Sequence, residues 1–274
     1  MLLPTRPLGR TGINVSSLGL GTVKFGRDKG LKYPSPFSLP DDDQLRHLLD
    51  LCLEFGINLI DTAPAYGVSE ERLGQLLGKS RQQFVLSTKT GEEFFHNPHH
   101  PDGISEFFFD KKHTRMSVER SLKRLNTDYL DVVLVHSNGD DLNVIHNTDA
   151  LETLDILKDT GLIRAYGIST KTSEGGLAAA SLVDVLMVSL NPQHLDELDV
   201  IESCCEKNTG ILLKKVLGSG HICHDDAPNN ARKDTFTLAL NQPGVSSAII
   251  GTINPEHLRD NVATALSALI SDRI

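Results

Sequence analysis

The chain has 274 residues, which is long enough to bury a sizeable core. Hydrophobic residues make up 39% of it and charged residues 23%, an ordinary balance for a globular protein that argues against disorder. The formal net charge is −9, from 36 acidic and 27 basic side chains, and no dense run of lysine and arginine occurs. Nucleic acid is therefore a poor candidate for a partner.

The sequence contains no segment typical of membrane insertion or secretion. Its first residues lack the apolar core of a signal peptide, and no later segment approaches about 18 uninterrupted apolar residues. The four cysteines show no spacing typical of a disulfide framework. We therefore expect a soluble cytoplasmic protein with no membrane partner and no structural disulfide.

In chain order, a short hairpin around residues 8–15 is followed by alternating apolar runs and longer amphipathic stretches. The apolar runs predict strands over residues 17–20, 58–60, 84–87, 130–135, 165–168, 183–189, 211–213 and 247–250. The amphipathic stretches predict helices over residues 42–55, 69–78, 112–125, 148–160, 174–180, 195–208, 232–240 and 255–270. Aspartates at 41–43 favour a helix start, and Gly56 and Gly161 are suited to end helices.

A strand followed each time by a helix implies parallel strands joined by right-handed crossovers. Eight such units close into a barrel more readily than they lie open, so we predict an α/β fold, a (β/α)8 TIM barrel with a short N-terminal hairpin. We expect residues 1–274 to form a single domain. The rival fold is a doubly wound open sheet, but its usual G-x-G-x-x-G signature is absent and the segment Gly19-Leu20-Gly21-Thr22 is too short for it.

Four polar side chains in the first half of the chain fall where a predicted strand ends. Asp61 ends the second strand, Tyr66 follows five residues later, Lys89 follows the third strand and His136 the fourth. Because the carboxyl ends of barrel strands open on one face, we expect these side chains to converge. The sequence therefore predicts an active site there.

The chemistry that these residue types suggest is proton transfer to a carbonyl. A tyrosine titrates near about 10, so it is a weak acid at neutral pH unless a nearby ammonium lowers its pKa. Lys89 is placed to do that for Tyr66, and Asp61 is placed to keep Lys89 charged. Taken singly, each residue has a structural explanation: a solvated lysine, a tyrosine over a core edge, a histidine bonded to a backbone carbonyl.

The chain resembles the aldo-keto reductase family over nearly its whole length. The resemblance rests on Gly19-Leu20-Gly21-Thr22, on Gly56-Ile57-Asn58-Leu59-Ile60-Asp61-Thr62-Ala63-x-x-Tyr66-Gly67, on Ser87-Thr88-Lys89, on residues 121–131 leading to His136, and on Gly167-Ile168-Ser169. Asp61, Tyr66, Lys89 and His136 match that family's catalytic tetrad in order and context. The resemblance implies a monomer or weak homo-oligomer that binds a nicotinamide dinucleotide across the strand ends. It also implies hydride transfer to a small-molecule carbonyl or sugar, with Tyr66 as the acid or base and His136 orienting the carbonyl.

A second site is indicated near the C-terminus. Residues 249–257 form a predicted strand, a glycine turn and a helix start, with Asn254 as N-cap and Pro255 in the first turn. Backbone N–H groups at such a start bind phosphate, although every capped helix has the same dipole. By resemblance the cofactor contacts are, at the adenosine end, Gly251, Thr252, Asn254, His257 and Asn261; at the pyrophosphate, Leu217 and Ser219; and nearer the nicotinamide, Gly21, Thr22, Lys24, Asp61, Ser169, Thr170 and Lys214.

The sequence departs from relatives at three positions around the expected cofactor site. Many relatives have Arg or Gln where His257 stands, and an Arg there would bind the 2′-phosphate of NADP more firmly. NADP is expected, with NAD as the alternative. Relatives usually have Gln in place of Met187 and often an aromatic ring in place of Lys214. Lys214 or Lys215 could reach a phosphate or a substrate carboxylate, or could be a solvated rim charge.

Two histidine-rich loops, residues 96–100 and 221–226, lack recognised zinc spacing, and we expect no metal site. The segment 92–110, which contains five phenylalanines, either borders the substrate pocket or covers the barrel rim.

Two other functions stay open: a Schiff-base aldolase using Lys89, and a regulatory barrel that binds nicotinamide cofactor without turnover. The substrate also stays open among sugar aldehydes, lactols and small aldehydes.

Overall fold

The computed structural model describes residues 1–223 and 230–270. The strands are β1 (Thr5–Pro7), β2 (Asn14–Ser16), β3 (Leu18–Gly21), β4 (Leu59–Asp61), β5 (Val85–Thr90), β6 (Glu92–Asn97), β7 (His100–Phe107), β8 (Leu130–His136), β9 (Ile163–Ser169), β10 (Val185–Ser189), β11 (Gly210–Lys214) and β12 (Val245–Ile250). The α-helices are α1 (Val23–Gly26), α2 (Asp42–Glu54), α3 (Ser69–Leu77), α4 (Lys111–Arg124), α5 (Asp141–Asn147), α6 (Ala150–Asp159), α7 (Ser173–Ala179), α8 (Leu198–Glu206), α9 (Ala231–Leu240) and α10 (Pro255–Ile270). Within these described ranges, no helix is both long enough and apolar enough to cross a bilayer.

The central feature is a closed parallel barrel in the order β3-β4-β5-β8-β9-β10-β11-β12, with β12 pairing back onto β3. The closing pair is in register at Ile250 and Leu20. This confirms the predicted (β/α)8 barrel and the short N-terminal hairpin. Because all barrel strands run the same way, their carboxyl ends share one rim, which we call the mouth.

Burial explains why these segments form the strands and helices of a barrel. In β8 every residue from Leu130 to Val135 is buried, as expected for a strand covered on both faces. Helix α2 starts with a capping box, in which Asp41 accepts from the Gln44 backbone N–H and the Gln44 side chain accepts from the Asp41 N–H. Gly56, at φ +76°, follows the end of that helix, in agreement with the sequence.

The N-terminal hairpin closes the end of the barrel opposite the mouth. Strands β1 and β2 pair antiparallel, and the turn between them carries Leu8 and Ile13. These two side chains and Val15 are buried with residues at the amino-terminal ends of barrel strands, among them Leu59 and Val85. The mouth is therefore the end of the barrel that the hairpin leaves uncovered.

The sequence missed a hairpin and two short helices, α1 and α5, that follow strand ends at the mouth. The segment 92–110, in which no strand was predicted, contains the antiparallel hairpin β6–β7, paired from Glu92 with Phe107 down to Asn97 with His100. Its side chains are mostly half-buried or exposed, so it lacks the apolar alternation that predicts a strand. The short helix α5 also precedes the predicted 148–160 helix.

We expect Leu8→Ala to lower the free energy of unfolding by about 2–5 kcal/mol, because it leaves a cavity between the hairpin and the barrel interior. Leu2→Ala is the matched control, since Leu2 is 65% exposed whereas Leu8 is 0% exposed. The control should change stability by less than about 0.5 kcal/mol. Urea unfolding followed by circular dichroism measures both, and equal losses would show that the hairpin does not close the barrel.

Candidate active site

Three polar side chains lie at neighbouring strand ends of the mouth. Asp61 is the last residue of β4, Lys89 stands one residue before the end of β5, and His136 is the last residue of β8. The strands β4, β5 and β8 are adjacent in the barrel. Tyr66 ends a short 3₁₀ helix, Pro64–Tyr66, that follows β4. The structure thus brings together the four residues that the sequence singled out.

Lys89 and Asp61 form a buried ion pair. The ammonium nitrogen lies 2.8 Å from Oδ1 and 2.7 Å from Oδ2 of Asp61, and donates a third hydrogen bond to the backbone oxygen of Thr62 at 2.8 Å. Ser87 donates to the same carboxylate at 3.0 Å. Burial lowers the pKa of Lys89, but Asp61 and Tyr66 together raise it by more, and the net pKa is above the ordinary lysine value. The amine is therefore held as an ammonium.

Tyr66 lies directly over this ammonium. The nitrogen of Lys89 is 4.9 Å from the centre of the phenol ring. Burial raises the pKa of Tyr66, and Asp61 adds to that effect, while Lys89 lowers it. The net pKa is above the ordinary value. The predicted effect of Lys89 is present, since Lys89 lowers the pKa of Tyr66, but burial outweighs it.

His136 faces a carboxylate that the sequence did not single out. Nδ1 of His136 lies 2.6 Å from Oε2 of Glu92, which follows Lys89 by three residues and begins the hairpin β6–β7. Among the described residues Nδ1 has no other polar partner, so this ion-pair contact is the one that Glu92 makes with the ring. Burial lowers the pKa of His136 by more than Glu92 raises it, with Lys89 and Lys214 adding to the decrease. The neutral ring is therefore favoured near pH 7.

The carboxylate of Glu92 has two further partners. Ser105, across the hairpin, donates to its Oε1 at 2.6 Å, and Arg27 approaches the same atom at 3.9 Å. Burial raises the pKa of Glu92, but His136, Ser105 and Arg27 together lower it to about 2. Glu92 is therefore ionised at any pH at which the protein would work.

Lys214 points into the mouth and not towards solvent. Its amine donates to the hydroxyl of Ser169 at 2.8 Å and to the backbone oxygen of Thr170, both at the end of β9. Burial lowers the pKa of Lys214 to about 7, with Lys215 and Lys171 adding to the decrease and Glu197 and Asp141 opposing it. Of the two lysines, Lys215 is the exposed one.

Of the residues assigned by resemblance to the nicotinamide end, two are buried at the close of β9. Ser169 and Thr170 are 1% and 0% exposed. The hydroxyl of Thr170 is buried and, within the described part of the chain, has no hydrogen-bond partner. An orphaned buried hydroxyl beside the serine fits a polar amide such as the nicotinamide carboxamide.

Three other assigned residues have partners within the protein. Thr22 is fully buried, and its N–H and hydroxyl both donate to the backbone oxygen of Asp61. Gly21, the last residue of β3, pairs with Asp61 on the next strand. The Lys24 amine lies 3.8 Å from the ring centre of Tyr33. Thr22 and Lys24 are therefore engaged by the protein itself, and Met187 is buried in the barrel interior.

The far end of the mouth has the helix start that the sequence predicted. Helix α10 begins at Pro255, and the side chain of Asn254 accepts from the Glu256 N–H at 2.9 Å, which makes it the N-cap. Thr252 and Asn261 are buried, whereas His257 is exposed.

The loop between α1 and α2 crosses the mouth above these residues. Its Tyr33 approaches Gly251, where an added Cβ would lie 3.4 Å from the phenol oxygen. The ring of His221, in the 3₁₀ segment Gly218–Cys223 with Ser219, lies 3.1 Å from the Lys32 carbonyl. Leu217, just before that segment, packs against the core.

No group of three or more metal-ligating side chains comes together among residues 1–223 and 230–270. In the first histidine-rich loop, His96, His99 and His100 are exposed near the tip of β6–β7. Residues 224–226 of the second loop lie outside the described residues.

Comparisons with known proteins point to one family. The sequence model of the Aldo/keto reductase family matches residues 17–238. A solved structure assigned to the aldo-keto reductases, from Pseudomonas aeruginosa, is 49% identical with a TM-score of 0.86 over 97% of this chain and 95% of that one. The uncharacterized oxidoreductase YqkF of Bacillus subtilis (strain 168) is 28% identical over 95% of this chain and 90% of its own. D-threo-aldose 1-dehydrogenase from a Pseudomonas species is 29% identical over 81% of this chain and 71% of its own.

We expect Asp61→Asn to destabilise the protein by about 3–5 kcal/mol, because it leaves the ammonium of Lys89 buried without a counter-charge. In a Lys89→Met background the same substitution should cost much less. Asp28→Asn is the control, because Asp28 lies in an exposed pair 3.8 Å from Lys29, where the loss should stay below about 1 kcal/mol. Urea unfolding of the wild type, Asp61→Asn, Lys89→Met and the double variant measures the coupling energy between the two side chains. If the two losses of stability were additive, the ion pair would not be what stabilises this site.

Proposed function

The chain belongs to the aldo/keto reductase family, and on that premise we propose that it is a nicotinamide-dependent oxidoreductase acting on a small carbonyl compound or sugar. It interconverts an aldehyde, ketone or sugar lactol with the corresponding alcohol or lactone. One feature carries the proposal: Tyr66, the Lys89–Asp61 pair and His136 converge at one mouth. The relative named D-threo-aldose 1-dehydrogenase supports including sugars among the substrates.

The chain's own residues account for the proton in this reaction. The phenol of Tyr66 is protonated at neutral pH and can donate its proton to the oxygen of the reduced carbonyl, and Lys89 favours that transfer because it lowers the pKa of Tyr66 against the effect of burial. The phenolate that remains lies beside the ammonium of Lys89, which stabilises it, and Asp61 keeps that ammonium charged and in place. In the oxidative direction the same phenolate accepts the substrate's proton. A bound nicotinamide supplies or accepts the hydride.

The residues proposed to hold that cofactor run across the mouth. Ser169 and Thr170 lie nearest the nicotinamide, Leu217 and Ser219 near the pyrophosphate, and residues 251–261 at the adenosine end. We propose NADP as the cofactor, with NAD as the alternative. Titration of the protein with each cofactor would show which one binds more tightly. Thr22 and Lys24 contribute less than the resemblance implied, because their polar groups already bind Asp61 and Tyr33.

We expect the wild-type protein to turn over at least one member of a panel of aldehydes, ketones, aldoses and alcohols, assayed in both directions with NADPH, NADH and their oxidised forms. Tyr66→Phe should lower kcat at least about a hundredfold because it removes the acid, while NADPH affinity changes by less than about threefold. Tyr166→Phe is the control, since the Tyr166 hydroxyl bonds Leu182 away from the mouth.

Two outcomes would contradict this function. NADPH binding by fluorescence without turnover of any panel member would favour the regulatory barrel. Trapping of substrate on Lys89 by borohydride, without any cofactor requirement, would favour the aldolase.

We expect His257→Arg to tighten NADPH binding about tenfold, because a guanidinium binds a phosphate with two charge-assisted hydrogen bonds. NADH is the internal control, since it has no 2′-phosphate, and its affinity should change little. Fluorescence titration of both cofactors measures the ratio. An equal change for both would show that residue 257 does not face the 2′-phosphate.

A further inference from the structure

The contact between Glu92 and His136 has a chemical consequence for the ligand that the histidine can bind. Strand β6 begins with Glu92 and Glu93, and their side chains point to opposite sides, as neighbours in a strand do. Glu92 faces His136 at 2.6 Å, whereas Glu93 faces His113 at 3.1 Å and Arg120 on α4. The hairpin thus turns one of two equivalent carboxylates into the mouth.

An ionised carboxylate has only acceptor atoms, so the ring nitrogen next to it is the one that carries hydrogen. Glu92 is ionised, because Ser105, Arg27 and His136 all favour its charged form. In a neutral imidazole the two nitrogens have opposite roles, and a hydrogen on Nδ1 leaves Nε2 with a lone pair. The carboxylate therefore decides which tautomer of His136 is present.

We propose that Glu92 is a positioning residue for His136: it holds the ring hydrogen on Nδ1 and leaves Nε2 facing the substrate as an acceptor. This inference deepens the proposed function and rests on it for its kinetic part. A neutral ring in this tautomer accepts a hydrogen bond from a substrate hydroxyl. It donates one to a carbonyl oxygen only after it has gained a second proton.

The charges around His136 set the pH at which that second proton is gained. Glu92 on β6 favours it, whereas Lys89 on β5 and Lys214 on β11 oppose it, as does burial. Because burial is the largest effect, the pKa of His136 lies below the ordinary histidine value. The site therefore suits a hydroxyl-bearing substrate, an alcohol or a sugar lactol, at neutral pH, and carbonyl reduction on the acidic side.

The experiment is nitrogen NMR of protein labelled with ¹⁵N-histidine, with the His136 signals assigned by their loss in His136→Asn. In the wild type at neutral pH we expect Nδ1 protonated and Nε2 unprotonated. Glu92→Gln should remove that preference and lower the pKa of His136 by about one unit or more, because an opposing charge is lost. Glu93→Gln is the matched control, since the two side chains are 13% and 11% exposed for Glu93 and Glu92, and it should change neither.

The pH dependence of kcat/KM reports the protonation of the same residue, His136. The limb on which kcat/KM for carbonyl reduction falls with rising pH should move to lower pH in Glu92→Gln by the shift seen in the NMR titration, and stay in place in Glu93→Gln. A wild-type ring with hydrogen on Nε2, or identical titrations of His136 in wild type and Glu92→Gln, would overturn the proposal. The wild-type spectrum decides the tautomer even if Glu92→Gln does not fold. Absence of any turnover would count against the proposed function alone, because the tautomer is measured without substrate or cofactor.

Discussion

The mouth of this barrel is organised around one buried positive charge. An ammonium with 2% exposure is stable only with a counter-charge and filled hydrogen bonds, and Lys89 has both from Asp61 and Thr62. The pair requires that β4 and β5 be neighbours in the observed register, so it couples the closure of the barrel to the geometry of the site. The charge then acts on its surroundings: it stabilises a phenolate at Tyr66 and disfavours a second proton on His136.

The features that depend on periodicity and on parallel strands were predictable from the sequence. Alternation of strands and helices predicts the barrel, and parallel strands place Asp61, Lys89 and His136 on one rim without any knowledge of side-chain packing. The N-cap at Asn254 was also predictable, because a cap depends on residues next to it in sequence. The assignment of the cofactor contacts rests on the resemblance and stays a prediction.

The features that depend on burial and on long-range approach were not predictable in the same way. The net pKa direction at Tyr66 is set by how much water the fold excludes, which the order of residues does not reveal. Glu92 was missed because a glutamate beside a second glutamate in a polar segment is most often a solvated charge. Only the pairing of β6 with β7 and the approach of β8 show that one of the two enters the mouth.

The N-terminal hairpin covers the end of the barrel that lies opposite the mouth. Leu8, Ile13 and Val15 pack against side chains that fill the barrel interior, among them Leu134 and Met187, so the mouth is the end that ligands can reach. When two ligands share one entrance, the ligand that lies deeper in the mouth has to bind before the ligand that covers it. It can also be released only after the covering ligand has left. The loop that carries Tyr33 narrows the mouth beside Gly251.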